Sequence, residues 1–276
     1  MGDYIPRIPL ADWVDSLVDW LLLNFSFIFD KIADVTKGFI EFFVDTLTMM
    51  PPILLIAIFV LIAWWTSRWS IAIFTAVGLL FIENIGYWSQ MIDTLALVIT
   101  AVIVSIIIGM PIGILAAQSN RLQTIIMPLL DFMQTMPAFV YLIPAILFFN
   151  VGVVPGVFAS VIFAMPPTIR LTNLGIRQVP AELIEAADAF GSTKSQKLYK
   201  VQLPLALPTI MAGINQSVML ALSMVVTASL VGAPGLGAEV YRAVGQIQVG
   251  RGFEAGLAIV IVAIMLDRIS QNVYKK

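Results

Sequence analysis

Side chains able to do covalent chemistry are scarce in this sequence. Among 276 residues there is no cysteine and no histidine, which removes thiol nucleophiles, disulfides, catalytic imidazole and the usual zinc ligands together. Hydrolytic, redox and metal chemistry are thereby disfavoured. Three groups of polar residues remain worth following. The first is Glu182-Leu183-Ile184-Glu185-Ala186-Ala187-Asp188-Ala189-Phe190-Gly191, followed after nine residues by Val201-Gln202-Leu203-Pro204. The second is Asp131-Phe132-Met133-Gln134-Thr135-Met136-Pro137, a polar stretch broken by proline inside apolar sequence. The third is Asn215, Gln216 and Ser223 within a later apolar run. The turn-rich Gly232, Gly235 and Gly237 follow no strand and precede no Lys-Ser/Thr, so they do not read as a phosphate loop.

The first group suits mechanical work. Pro180 pre-sets φ for a first turn, Glu182 and Glu185 favour the positive N-terminal end, and Gly191 supplies the left-handed residue that stops the helix. A second short helix is expected to follow, capped by Ser192 or Thr193, with Lys194, Lys197 and Lys200 on one side. Two short amphipathic helices between apolar segments make a knob rather than a pore.

The elements that must position these groups are membrane spans. With 60% hydrophobic and 12% charged residues and a mean hydropathy of +0.97, the chain carries more apolar surface than one compact core can bury. It reads as an all-α, polytopic membrane protein. Residues 10 to 30 set Leu10, Trp13, Val14, Leu17, Trp20, Leu21, Phe25 and Ile28 near one face and the aspartates mainly off it, an amphipathic helix in an interface or packed on other protein. A second, weaker amphipathic stretch covers residues 35 to 49. Two short apolar runs follow, opened by Pro51-Pro52 and separated by Trp64, Trp65 and Arg68; both fall below the roughly 20 residues that a span needs, and they read as a hairpin. Further spans are expected at residues 91 to 117, 124 to 149, 156 to 170, 205 to 231 and 253 to 272, giving about seven. Residues 1 to 50 are thus an interfacial segment, 51 to 90 an accessory hairpin, and 91 to 272 a core that carries the coupling loop, 177 to 204. No cleavable signal peptide is apparent.

Charge sets the orientation. Arg68, Arg121, the cluster Arg170, Arg177, Lys194, Lys197 and Lys200, and the terminal Arg268, Lys275 and Lys276 fall on one side of a seven-span chain, which is then cytoplasmic. The acidic N-terminal segment lies outside. Arg242 and Arg251 sit outside against this bias, near Glu239 and Glu254. No internal repeat is visible, which weighs against a stand-alone secondary transporter.

The spacing Glu-Ala-Ala-x3-Gly-x9-[Ile/Val]-x-Leu-Pro, here Glu185 to Pro204, resembles the signature loop of permease subunits in binding-protein-dependent ABC importers. Val201 stands where the family more often has Ile, a volume-conserving change. Residues 131 to 141, Phe163-Ala164-Met165-Pro166-Pro167-Thr168-Ile169-Arg170, Met219 to Val226 and Val231 to Gly237 further resemble the glycine betaine and compatible-solute branch. That resemblance implies a type I importer permease fold in a bacterial plasma membrane and two copies of the chain. It also implies two cytoplasmic ATPase subunits that bind the ATP and magnesium, and an outer solute-binding protein. No cofactor is expected on this chain, and neither catalysis nor nucleic acid. Glu182, Glu185, Ala186, Ala187, Phe190, Gly191, Leu203 and Pro204 are then the ATPase-coupling residues. A cage of aromatic faces for a quaternary ammonium belongs to the binding protein, since Trp64, Trp65, Trp69, Tyr87 and Trp88 sit at expected span ends as an interfacial belt.

Two readings of the remaining polar groups stay open at this level. Asp131, Met133, Gln134, Met136, Asn215, Gln216 and Ser223 either line a translocation path and gate, or serve as interhelical hydrogen bonds and adaptable packing. Met219 and Met224 are treated alike.

Overall fold

The structure, a computed structural model, describes residues 8 to 272, and every regular element among them is helical. Lys275 and Lys276 lie outside the described residues.

The N-terminal segment is one helix, α1 (Leu10–Thr48), rather than two stretches. No proline interrupts residues 10 to 48, so nothing in the chain forces a break. Only Ile40 of α1 is buried, while Trp13, Leu17, Trp20, Leu23 and Phe27 are exposed. Its midpoint is pinned to the body through Phe29, which stacks on Phe148 with centroids 4.4 Å apart. At Pro51 the chain turns through 104° into α2 (Pro52–Thr66). α2 and α3 (Trp69–Asn84) form the short hairpin, and the Ser67 hydroxyl at its turn donates to the Arg268 carbonyl at 2.9 Å.

Next come α4 (Trp88–Gln118), α5 (Asn120–Thr135), α6 (Ala138–Phe149), α7 (Val153–Arg177), α8 (Ala181–Ala189) and α9 (Lys194–Lys197). A π turn over Leu198–Gln202 leads from α9 into α10 (Leu203–Ser229), which is followed by α11 (Leu236–Gly245) and α12 (Val249–Asn272). α4, α7, the run Lys194–Ser229 and α12 are each long and apolar enough to cross a membrane. Counting the bent pairs α1–α2 and α5–α6 as one span each gives six, and the 16-residue α3 is the other apolar segment expected from the sequence.

α7 lies at the centre, between α4 and α10. A Cβ on Gly113 of α4 would stand 2.8 Å from the Ile169 carbonyl oxygen, and one on Gly213 of α10 would stand 2.9 Å from that of Pro167. Glycine at both places lets backbone approach backbone, the usual device where hydrocarbon offers no hydrophobic drive to association. Thr168 and Ser217 share a buried hydrogen bond of 2.8 Å across the α7–α10 contact.

α11 has no counterpart in the sequence reading, which saw only a turn-rich loop. Gly235, at φ +115, opens it, and the Leu236 N–H donates to Thr94 Oγ1 at 2.8 Å, tying the loop to α4. Arg242 pairs with Glu239 at 2.6 Å, one of the two carboxylates that the sequence sets near it and Arg251. Nearby, burial raises the Tyr87 hydroxyl pKa above its ordinary 10.0, and the Glu254 and Glu239 carboxylates add to the shift.

Candidate functional site

The knob between α7 and α10 is held by local rules. Pro180, at φ −53 and ψ 135, is the N-cap of α8 rather than its first helical residue, and its carbonyl accepts the Leu183 N–H at 3.1 Å. At the other end Gly191 sits at φ +74, with its N–H on the Asp188 carbonyl at 2.9 Å and the Ser192 N–H on that of Ala187 at 3.0 Å. This is the paired-bond C-terminal stop that glycine favours. Thr193, not Ser192, caps α9: its Oγ1 accepts the Gln196 N–H, and Gln196 Oε1 accepts the Thr193 N–H at 2.9 Å. Lys197 Nζ then bonds both Asp188 oxygens, at 2.7 and 2.8 Å, and fixes α9 to α8.

None of α8 is buried. Glu182, Glu185 and Ala186 are exposed, Ala187 is half-buried, and Phe190 is 91% exposed at the tip. Leu203 packs where the knob rejoins the bundle, against Ile176, Leu198, Ala206 and Ile210. Pro204 has no N–H to offer the preceding turn, and the Leu203 N–H reaches back five residues to Leu198, which accounts for the π turn.

The second group lies at a break. α5 ends at Met136, whose ψ of 136 is extended, and α6 departs at 95° after Pro137. The Tyr141 hydroxyl donates to the Met133 carbonyl at 2.7 Å across this elbow, satisfying one of the carbonyls that the helix end leaves open. Met133, Gln134 and Met136 are half-buried. Asp131 is not sequestered: its side chain is 67% exposed and pairs with Arg170 of α7 at 2.5 Å.

The third group divides. Gln216 and Ser223 lie with Met219 on the exposed side of α10, three and four residues apart and so on one face. Asn215 faces the other way. Its amide donates to Asp267 Oδ1 at 2.9 Å and its carbonyl accepts the Ser270 hydroxyl, so this side chain is committed to the α10–α12 contact. Met224, 2% exposed, belongs to the core.

Sequence reasoning missed three partners. Arg177 entered it as a cytoplasmic charge, and Arg170 as such a charge and as the end of the stretch from Phe163, although Arg170, Asn173 and Arg177 recur at helical spacing and so share a face of α7. Asp267, within the last expected span, accepts from Asn215 at 2.9 Å and from Gln271 at 2.7 Å.

Known proteins of like sequence bear on this arrangement. The family described as "Binding-protein-dependent transport system inner membrane component" matches residues 109 to 276. The glycine betaine transport system permease protein OpuAB of Bacillus subtilis is 62% identical over 274 residues, covering 99% of this chain and 97% of that one. The glycine betaine/carnitine transport permease protein GbuB of Listeria monocytogenes is 57% identical, covering 99% and 98%. The glycine betaine/proline betaine permease protein ProW of Escherichia coli is 50% identical, covering 96% of this chain and 75% of that one. Among solved structures, the inward-facing MetNI methionine ABC transporter matches with a TM-score of 0.63 at 21% identity, over 68% of this chain and 94% of that one, a likeness of fold. On the family match and these identities, the chain belongs to the inner membrane components of binding-protein-dependent transport systems.

Proposed function

We propose that this chain is the membrane-spanning subunit of an ATP-driven importer for glycine betaine and related quaternary-ammonium osmolytes, working by alternating access. It is a multi-pass protein of the bacterial plasma membrane. The substrate class is supported by 62% and 57% identity, along nearly the whole chain, to permeases named for glycine betaine. The second of these names carnitine too, which makes carnitine the alternative solute.

The observation that carries the coupling is α8, a helix closed at both ends with no buried residue and with Phe190 91% exposed. A large apolar side chain at the tip of a rigid polar knob is suited to a groove on a partner. In this reading Glu182, Glu185, Ala186, Ala187, Phe190 and Gly191 meet a cytoplasmic ATPase, and Leu203 and Pro204 anchor the return to α10. ATP and magnesium stay on two such ATPase subunits, so this chain needs no cofactor and hydrolyses nothing. An extracytoplasmic binding protein delivers the solute, and a second copy of the chain completes the path. Asp131, Met133, Gln134 and Met136 at the elbow, with Gln216 and Ser223 on α10, line it.

Uptake by proteoliposomes tests this. Solute accumulation is expected only when the ATPase subunit, ATP and the binding protein are all supplied. Accumulation without ATP and without the ATPase would establish a stand-alone secondary transporter instead.

A further inference from the structure

Arg177 closes α7 at the point where the chain leaves the bundle for the knob. Its Nε donates to Asn173 Oδ1 at 2.9 Å, Nη1 to Asn120 Oδ1 at 2.7 Å and Nη2 to the Ala116 carbonyl at 3.0 Å. Asn120 is the first residue of α5, and Ala116 lies in the last turn of α4. One planar fork therefore joins the ends of three helices, a task for which guanidinium geometry is suited and ammonium is not.

A second charged link, Arg170 to Asp131, joins α7 to α5 again. The step of seven from Arg170 to Arg177 is about two turns of α7, and the step of eleven from Asn120 to Asp131 is about three turns of α5. Both pairs thus lie along facing stripes of two antiparallel helices. A rod held at one point pivots; held at two, it moves with its support. Beyond Asp131 the next break in the backbone is at Met136 and Pro137, where α6 leaves at 95°.

The knob itself presses little on the bundle. A crevice of about 370 Å³, bordered by Ala117, Arg177, Ile184, Glu185 and Gln202, separates α8 from the ends of α4 and α10. Motion of α8 reaches the spans through its two roots, the α7 end at Arg177 and the α9–α10 run.

We propose that Arg177 is a positioning residue for coupling: it yokes α5, which carries the elbow, to the α7 root of the knob. Displacement of α8 by a partner is then delivered to Asn120 and on to the Pro137 break, instead of being lost in the α4–α5 turn. This rests on the reading of the chain as an ATP-driven permease, and Arg177 acts through Asn120 without touching solute or nucleotide.

The test uses the complete transporter in proteoliposomes and reads glycine betaine taken up per ATP hydrolysed. Arg177→Gln removes the fork, Asn120→Leu removes the acceptor at similar volume, and Asn120→Asp keeps an acceptor. In the first two the ratio is expected to fall roughly fivefold while hydrolysis continues, and in Asn120→Asp to stay within about twofold of wild type. In the Arg177→Gln background Asn120→Asp and Asn120→Leu should be equal. An arginine that only stabilises the fold would lower the yield and melting temperature of the complex and leave the ratio of surviving transporters unchanged. That result, or a wild-type ratio in Asn120→Leu, overturns the proposal. Should Arg177→Gln not assemble, the exposed Asn120 pair reads the same link. Loss of ATP dependence in the wild type would instead overturn the importer reading, because then there is no ratio to measure.

Discussion

Gly191 separates backbone geometry from contact, because it sits at φ +74 and a Cβ added there meets nothing within 4 Å of the chain. Any effect of a small substitution on the free knob is therefore conformational. A residue with Cβ in this region costs about 1 to 2 kcal/mol, asparagine less, and a β-branched residue more. Those energies correspond to a factor of about 5 to 30 in the fraction of knobs that hold the observed stop. Gly191→Asn, Gly191→Ala and Gly191→Val should accordingly form a graded series, with asparagine near wild type and valine worst. The assay is retention of the ATPase subunit on co-purification, together with uptake per ATP in proteoliposomes. Full retention and full coupling in Gly191→Val would refute the role of the stop. Equal damage from all three would show that added volume against a partner matters, not the left-handed backbone.

Other consequences are as direct. Asp131→Asn should lower transport with the complex still assembled, since the exposed pair with Arg170 contributes at most about 1 kcal/mol to stability; failure to insert would make the residue structural. Asn215→Leu removes both hydrogen bonds from α10 to α12, leaving Asp267 with Gln271 and Ser270 with the Asp267 carbonyl, and should cost roughly 0.5 to 1.5 kcal/mol of stability while leaving apparent solute affinity alone, as thermal unfolding and uptake titration would read separately. The raised Tyr87 pKa means that the folded state holds its proton longer, so its contribution is intact below the ordinary 10.0 and fades as pH rises beyond it; Tyr87→Phe should abolish that alkaline fade and change nothing at neutral pH. Because the chain has no cysteine, single cysteines report topology cleanly: position 12 should label from outside and position 194 only after permeabilisation, and the reverse pattern would invert the orientation.

What the sequence shows and what it hides divide along a physical line. The knob was legible because its devices are local: a proline before, a glycine after, and Ser192 or Thr193 to cap the next helix, a choice that Gln196 settles for Thr193. Apolar run length likewise marked the long spans. Asn215 and Asp131 were not legible in the same way, since a polar residue in an apolar run carries no sign of the side it faces. Asp267 decides the first from 52 residues away and Arg170 the second from 39. The amphipathic pattern of α1 weakens after residue 30, which hides its continuity, although no proline breaks a helix there. α11 escaped because its ten residues lie between glycine-rich turns that read more strongly than the helix itself.

The π turn at Leu198–Gln202 has a consequence for rotational phase. A π turn is an α-helix carrying one residue more than its neighbours need, and each residue of an α-helix accounts for about 100° about the axis and 1.5 Å along it. Lys197, which grips Asp188 of the knob, and Leu203, which faces the bundle, are therefore set by that surplus in a relation that an unbroken α-helix of the same length would not give. Deleting one residue from this turn would leave every neighbouring side chain in place along the sequence and swing the whole knob by about 100°, a little over a quarter of a circle, relative to the spans.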